Sequence, residues 1–165
     1  MRNNCSICGA MLVEPAGRES SDVLLVGEYP GEAEMQMGIP FVGDTGKLLE
    51  YELMRAGLDI NTCRMTNLWQ HYKSKDEGCL NYMVRSLTLE MAGRKVLFMG
   101  SDLLLLFLND KVSDWAGLEI KSPLFPKSTQ WVMCAPNPGY ALHATIGEVR
   151  LSLQKFVKNV RRLNE

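Results

Sequence analysis

Two short stretches of this sequence hold the residue types best suited to chemistry: Cys5-x-x-Cys8-Gly9, and Gly27-Glu28-Tyr29-Pro30-Gly31. Two thiols separated by two residues and followed by glycine make the usual knuckle that offers soft ligands to a metal. Five cysteines (Cys5, Cys8, Cys63, Cys79, Cys134) are an odd number, which argues against a disulfide framework and for metal, chemistry or packing. In the second stretch, glycines and a proline around one acid make a tight turn whose backbone can approach a ligand closely. Glu28 is then either an anion at a ligand's edge or a solvated acid in an ordinary strand-to-helix turn. A phosphate loop at Gly43-Asp44-Thr45-Gly46-Lys47 fails, because Phe41 stands where the first glycine belongs and Leu48 replaces the required Ser/Thr.

The elements that must position these residues alternate in type. Val23–Val26, Arg64–Trp69, Lys95–Met99 and Trp131–Ala135 read as strands, and 46–56, 79–92, 101–109 and 145–163 read as helices with apolar stripes such as Leu49, Leu53 and Ala56. This order predicts a three-layer α/β/α domain with a central four-stranded, mainly parallel sheet, its ligand at the carboxyl ends of the strands. The 165 residues suit a single domain, 1–165, with an N-terminal metal-binding segment over 1–20. With 46% hydrophobic and 22% charged residues the composition is globular, which excludes disordered and fibrous classes. The most apolar stretch, 96–108, is too short and interrupted to span a bilayer, so no membrane partner is expected. Residues 1–10 lack the apolar core of a secretory signal, which predicts a cytoplasmic protein. The net charge of −1 gives no global attraction to a polyanion, so any nucleic-acid contact must be local.

The order Gly-Glu-Tyr-Pro-Gly (27–31), Pro-Phe-Val-Gly (40–43) and Thr66-Asn67 resembles the iron–sulfur (family 4) uracil-DNA glycosylases, over nearly the whole chain. The resemblance implies that Glu28 assists water or the sugar cation, Phe41 stacks on a flipped uracil and Asn67 reads its edge, with Gly27 and Tyr29 beside them. Glu34 matches a family acid near the C5 position of the base, whereas the neighbouring family aspartate is Met35 here. The chemistry agrees independently of the name. Breaking an N-glycosidic bond builds positive charge on the sugar and negative charge on the base, which calls for an anion on one side and hydrogen-bond donors on the other. A side-chain amide offers one donor and one acceptor to uracil's acceptor–donor edge.

In the loop after the fourth strand, Asn137 stands where family 4 has the histidine of a His-Pro-Ser motif, so the resemblance makes Asn137 the support of the leaving base. The Pro-Asn-Pro order also resembles the mismatch-specific branch of the superfamily. Ala141 occupies the place of the family's duplex-wedging leucine, with Tyr140 and Leu142 on either side as candidates for that contact. His143 is the nearest imidazole. The resemblance also calls for two more metal ligands after Asn67: His71, where the family has cysteine, and Cys79. With Cys5 and Cys8 the set is C-x2-C and H-x7-C; the family favours a [4Fe–4S] cluster, and three thiolates with one histidine suit structural zinc.

Two basic stretches compete for DNA. Lys73, with His71, Tyr72 and Lys75, follows Asn67 at the expected ligand edge, while Arg150, Lys155, Lys158, Arg161 and Arg162 form either a phosphate-binding patch or a solvated helix face. The expected partner is uracil-containing DNA, single- or double-stranded, acted on by a monomer. A different class stays open: a weak or inactive glycosylase fold that only binds DNA or a replication partner. Excision of uracil from a defined oligonucleotide separates the two.

Overall fold

The computed structural model describes residues 1–142 and 146–162. Its strands are β1 (Ala16–Gly17), β2 (Val23–Gly27), β3 (Arg64–Asn67), β4 (Lys95–Met99), β5 (Glu119–Ile120) and β6 (Trp131–Ala135). The helices are α1 (Glu32–Met37), α2 (Asp44–Ala56), α3 (Glu77–Met91), α4 (Ser101–Leu108), α5 (Val112–Trp115) and α6 (Gly147–Arg162), with 3₁₀ turns at Ile60–Thr62 and Pro138–Leu142.

The strand order is β1-β3-β2-β4-β6-β5. The inner four are parallel, as the alternation of elements requires, and two antiparallel edge strands extend the sheet. Six strands therefore replace the expected four. Each edge strand is only two residues long, too short for any period to show in the sequence. The N-terminal segment supplies one of them, since Ala16 and Gly17 pair with Met65 and Arg64.

Both faces of the sheet are buried, and alternate side chains divide between two cores. Leu24, Val26, Val96, Phe98, Val132 and Cys134 face α3 and α4. Val23, Leu25, Leu97, Met99, Met133 and Ala135 face α2 and α6. Each long helix presents the stripe that this burial demands: Cys79, Met83, Leu87 and Met91 repeat every four residues along α3, and Val149, Leu153, Phe156, Val157 and Val160 line α6. Asp76 starts α3 by accepting the Gly78 N–H at 2.8 Å, and Gly57, in the left-handed region at φ 98°, ends α2. Cys63 and Cys134 are buried packing residues, as expected from their places beside strands.

From β2 the chain goes first to β3 on one side and then to β4 on the other. The resulting divergence of connections opens a crevice at the carboxyl end of β2. Gly27 ends that strand and pairs in register with Asn67, the last residue of β3. Among the described residues no helix is long and apolar enough to cross a membrane.

Candidate active site and metal centre

A cavity of about 830 Å³ lies at this crevice. It is bounded by Gly27, Glu28 and Tyr29 after β2, Asn67 after β3, Met99 ending β4, and Asn137 to Tyr140 after β6, with Glu34, Phe41 and Lys73 adding walls. All the residues expected at a substrate site except Leu142 therefore converge here. Leu142 is exposed nearby in the 3₁₀ turn, as is Tyr140, whereas Ala141 packs against the core below. The turn thus presents the two flanking side chains outward. His143 lies outside the described residues.

Gly27, Phe41 and Asn67 form one packed unit. A Cβ on Gly27 would sit 2.3 Å from Asn67 Oδ1 and 3.0 Å from Phe41 Cζ, so only glycine lets the amide and the ring approach each other over the strand end. Phe41 adopts φ 60°, a conformation that costs a bulky residue about 1–3 kcal/mol. Its backbone lies on the first turn of α2, where a Cβ at Gly46 would meet the Phe41 carbonyl oxygen at 2.0 Å. Asn67 is 4% exposed. Its side-chain amide has no hydrogen-bond partner among the described residues and borders the cavity, so both its donor and its acceptor are open to a ligand there.

Glu28 sits in a built seat. Asn137 Nδ2 donates to Glu28 Oε1 at 3.0 Å, the Asp102 N–H in the first turn of α4 donates to Oε2 at 3.2 Å, and Gly100 leaves room, since a Cβ there would lie 2.0 Å from Oε1. The Asn137 carbonyl in turn accepts the Gly139 N–H at 2.8 Å, which fixes the orientation of the amide. Burial pushes the Glu28 carboxyl above the usual carboxylate range; Asn137 and the Asp102 N–H oppose that shift, and the Asp102 carboxylate adds to it. Lys73 Nζ holds that carboxylate at 2.8 Å on the rim.

Glu34 does something the sequence does not reveal. Its oxygens accept the Gly31 N–H at 3.1 Å and the Gly43 N–H at 2.9 Å, so it clamps the two loops on either side of α1 and thereby the loop bearing Phe41. Gly100 and the Asp102 N–H were likewise missed, although glycine at the carboxyl end of a central strand was a usable signal. The basic end of α6 lies elsewhere. Arg161 donates to the Gly57 carbonyl beyond the far end of α2, whose first turn borders the cavity, and Arg150 makes a two-pronged ion pair with buried Glu52. The far end of this helix is thus remote from the cavity, and a solvated face describes it better than a DNA contact at the site.

The second convergence is metal-like. Ligand atoms of Cys5, Cys8, His71 and Cys79 all lie within 4.8 Å of one another. Cys5 Sγ is 3.9 Å from Cys79 Sγ, and Cys8 Sγ is 3.6 Å from His71 Nε2. The knuckle closes through Gly9 N–H to Cys5 O at 2.8 Å, with Gly9 at φ 76°. Burial raises the Cys5 thiol, but the N–H groups of Cys8 and Ile7, with His71 and Cys8 side chains, outweigh it and bring it down to about 7. Cys79, more deeply enclosed beside two other thiols, is pushed up to about 12. A cation among these groups would remove that competition by deprotonating the thiols. The centre joins the N-terminal segment, the loop after β3 and the first turn of α3. The donor set fits a metal cofactor.

Comparison with known proteins agrees with this geometry. Two relatives are type-4 uracil-DNA glycosylases: that of Pyrobaculum aerophilum is 30% identical over 92 residues, 51% of this chain and 46% of that protein. That of Archaeoglobus fulgidus is 36% identical over 83 residues, 46% of this chain and 42% of that protein. Each match thus spans under half the length of the relative. The pattern of the family described as the uracil DNA glycosylase superfamily matches residues 14–162, all four inner strands and the cavity loops included, and the chain belongs to that superfamily.

Proposed function

We propose that the protein excises uracil, or a closely related damaged pyrimidine, from DNA by hydrolysing the N-glycosidic bond. The observation that carries this reading is the Asn67 amide, which faces the cavity beside the Phe41 ring with no partner among the described residues: a donor and an acceptor next to an aromatic platform, at the end of a rigid sheet. A base turned out of the stack would gain about 1–3 kcal/mol from such a platform, and its acceptor–donor edge would complete the amide.

The reaction breaks the bond between the sugar C1′ and the base nitrogen, with the electron pair leaving on the base, and water then adds to C1′ and gives up a proton. The Glu28 carboxylate faces the positive charge that grows on the sugar and orients the water. The Asn137 amide keeps one N–H beyond its bond to Glu28, and that donor is available to the departing base. Tyr140 and Leu142, exposed at the mouth, are the side chains to fill the gap left by a flipped nucleotide, and Lys73 meets phosphate. The enzyme acts as a monomer in a cytoplasm reducing enough to keep thiols free. Cys5, Cys8, His71 and Cys79 hold a structural metal that fastens the N-terminal segment to the loop carrying Lys73.

Folded, metal-loaded protein in excess over an oligonucleotide bearing a single uracil tests the reading. Free uracil and an abasic site are expected, faster from single strands or mismatches, where flipping costs least. DNA binding with no uracil released over hours would overturn it in favour of a binding module.

A further inference from the structure

The resemblance to family 4 implies a cluster of four irons, and the ligand geometry disagrees. We propose that Cys5, Cys8, His71 and Cys79 hold a single tetrahedral zinc ion, an inference that rests on the metal-centre reading above and gives that centre its chemical identity.

Distance carries the argument. Zinc binds thiolate at about 2.3 Å and imidazole nitrogen at about 2.0–2.1 Å, so tetrahedral angles place two sulfurs about 3.8 Å apart and a sulfur and a nitrogen about 3.6 Å apart. The observed separations are 3.9 Å for Cys5 Sγ to Cys79 Sγ and 3.6 Å for Cys8 Sγ to His71 Nε2. No pair among the four ligand atoms exceeds 4.8 Å. A [4Fe–4S] cluster attaches each ligand to a different iron, so its four ligand atoms stand outside a cage of four irons and four sulfides and lie farther apart than ligands sharing one ion. Opening this site to that extent would mean moving Cys5 and Cys79 apart inside a core where Leu12, Trp69 and Met83 are also buried.

The donor set agrees with the distances. Three thiolates and one imidazole form a closed structural zinc set. His71 Nδ1 lies 2.6 Å from the Tyr72 carbonyl oxygen, so that nitrogen carries the proton and donates it there, leaving the Nε2 lone pair for the metal. The His71 ring is further held by Trp69, their centroids 5.9 Å apart.

Two measurements on the full-length chain test the assignment. Protein purified anaerobically from cells supplied with both metals should be colourless and contain about one zinc per chain, without iron or acid-labile sulfide. Because zinc can occupy a site that has lost its cluster, metal-stripped protein is also offered ferrous iron and sulfide under anaerobic conditions, and separately cobalt(II). Cobalt should give the intense visible bands of a tetrahedral thiolate site, and iron with sulfide should leave the protein colourless. Brown protein with about four irons and four sulfides per chain, from either route, would overturn the zinc assignment while leaving the metal centre standing. Failure to bind any of the three metals would remove the centre itself.

Discussion

The cavity and the Cys/His centre are both built from polar groups at the edge of the same apolar core, yet they are organised in opposite ways. At the Cys/His centre every donor points inward to one spot, and the elements it joins, the N-terminal segment, the loop after β3 and α3, are fixed by it. In the cavity, Asn67 has no partner among the described residues, and burial raises the pKa of Glu28 against the pull of its two donors. The first arrangement would favour folding once a metal is bound; the second leaves polar groups open to a ligand. Variants should therefore separate the two: damage to the centre falls on stability, and damage to the cavity falls on chemistry.

The largest effect is expected at the centre. Cys79→Ser, in the buried first turn of α3, should cost several kcal/mol of folding free energy and lower Tm by about 10 °C or more, and metal removal by a chelator should do the same to the parent. Calorimetry with and without chelator is the check, and a Tm unmoved by both would show that the centre does not brace the fold.

Asn67→Ala comes next. Loss of the amide should slow excision about 100- to 1000-fold, the usual consequence of removing a donor aimed at developing charge. Its Tm should stay nearly level, because the amide makes no hydrogen bond to another described residue. A fall in Tm comparable to that of Cys79→Ser would erase the distinction between the two regions.

Asn137→Ala has a smaller, pH-dependent effect. Without the donor to Glu28 Oε1, the carboxyl pKa should climb further, and the acid limb of the rate profile should move to higher pH with it. The sign for stability is opposite to that of a salt-bridged acid. A carboxyl with a raised folded-state pKa contributes stability below the ordinary glutamate range and loses it as pH rises through the raised value. Glu28→Gln should accordingly be stabilising at neutral pH while excision falls, and urea denaturation at two pH values measures it. Lys73→Ala is expected to be mildest: a few-fold weaker DNA binding, with a shallower salt dependence and little change in the bound rate.

The four inner strands were legible because continuous apolar runs bounded by glycine, asparagine or proline have few other readings, and their limits fell within two residues of those observed. The six-residue α1 and the edge strands β1 and β5 were not, since each is too short for a period to emerge. Glu28, Phe41 and Asn67 were identifiable from order and chemistry together. What the sequence left hidden are contacts between distant backbone groups: the Glu34 clamp on Gly31 and Gly43, and the Asp102 N–H on Glu28 across 74 residues. Such partners are set by the sheet's strand order, which no local pattern encodes.

Single-turnover excision, with parent and Asn67→Ala each in excess over a single-uracil strand and DNA binding measured alongside, decides whether the cavity carries out this chemistry. Complete conversion to alkali-labile sites is expected for the parent and a rate at least about 100-fold lower for the variant, with binding kept within a few-fold. Equal rates for the two proteins, or no conversion by folded, metal-loaded parent, would contradict it.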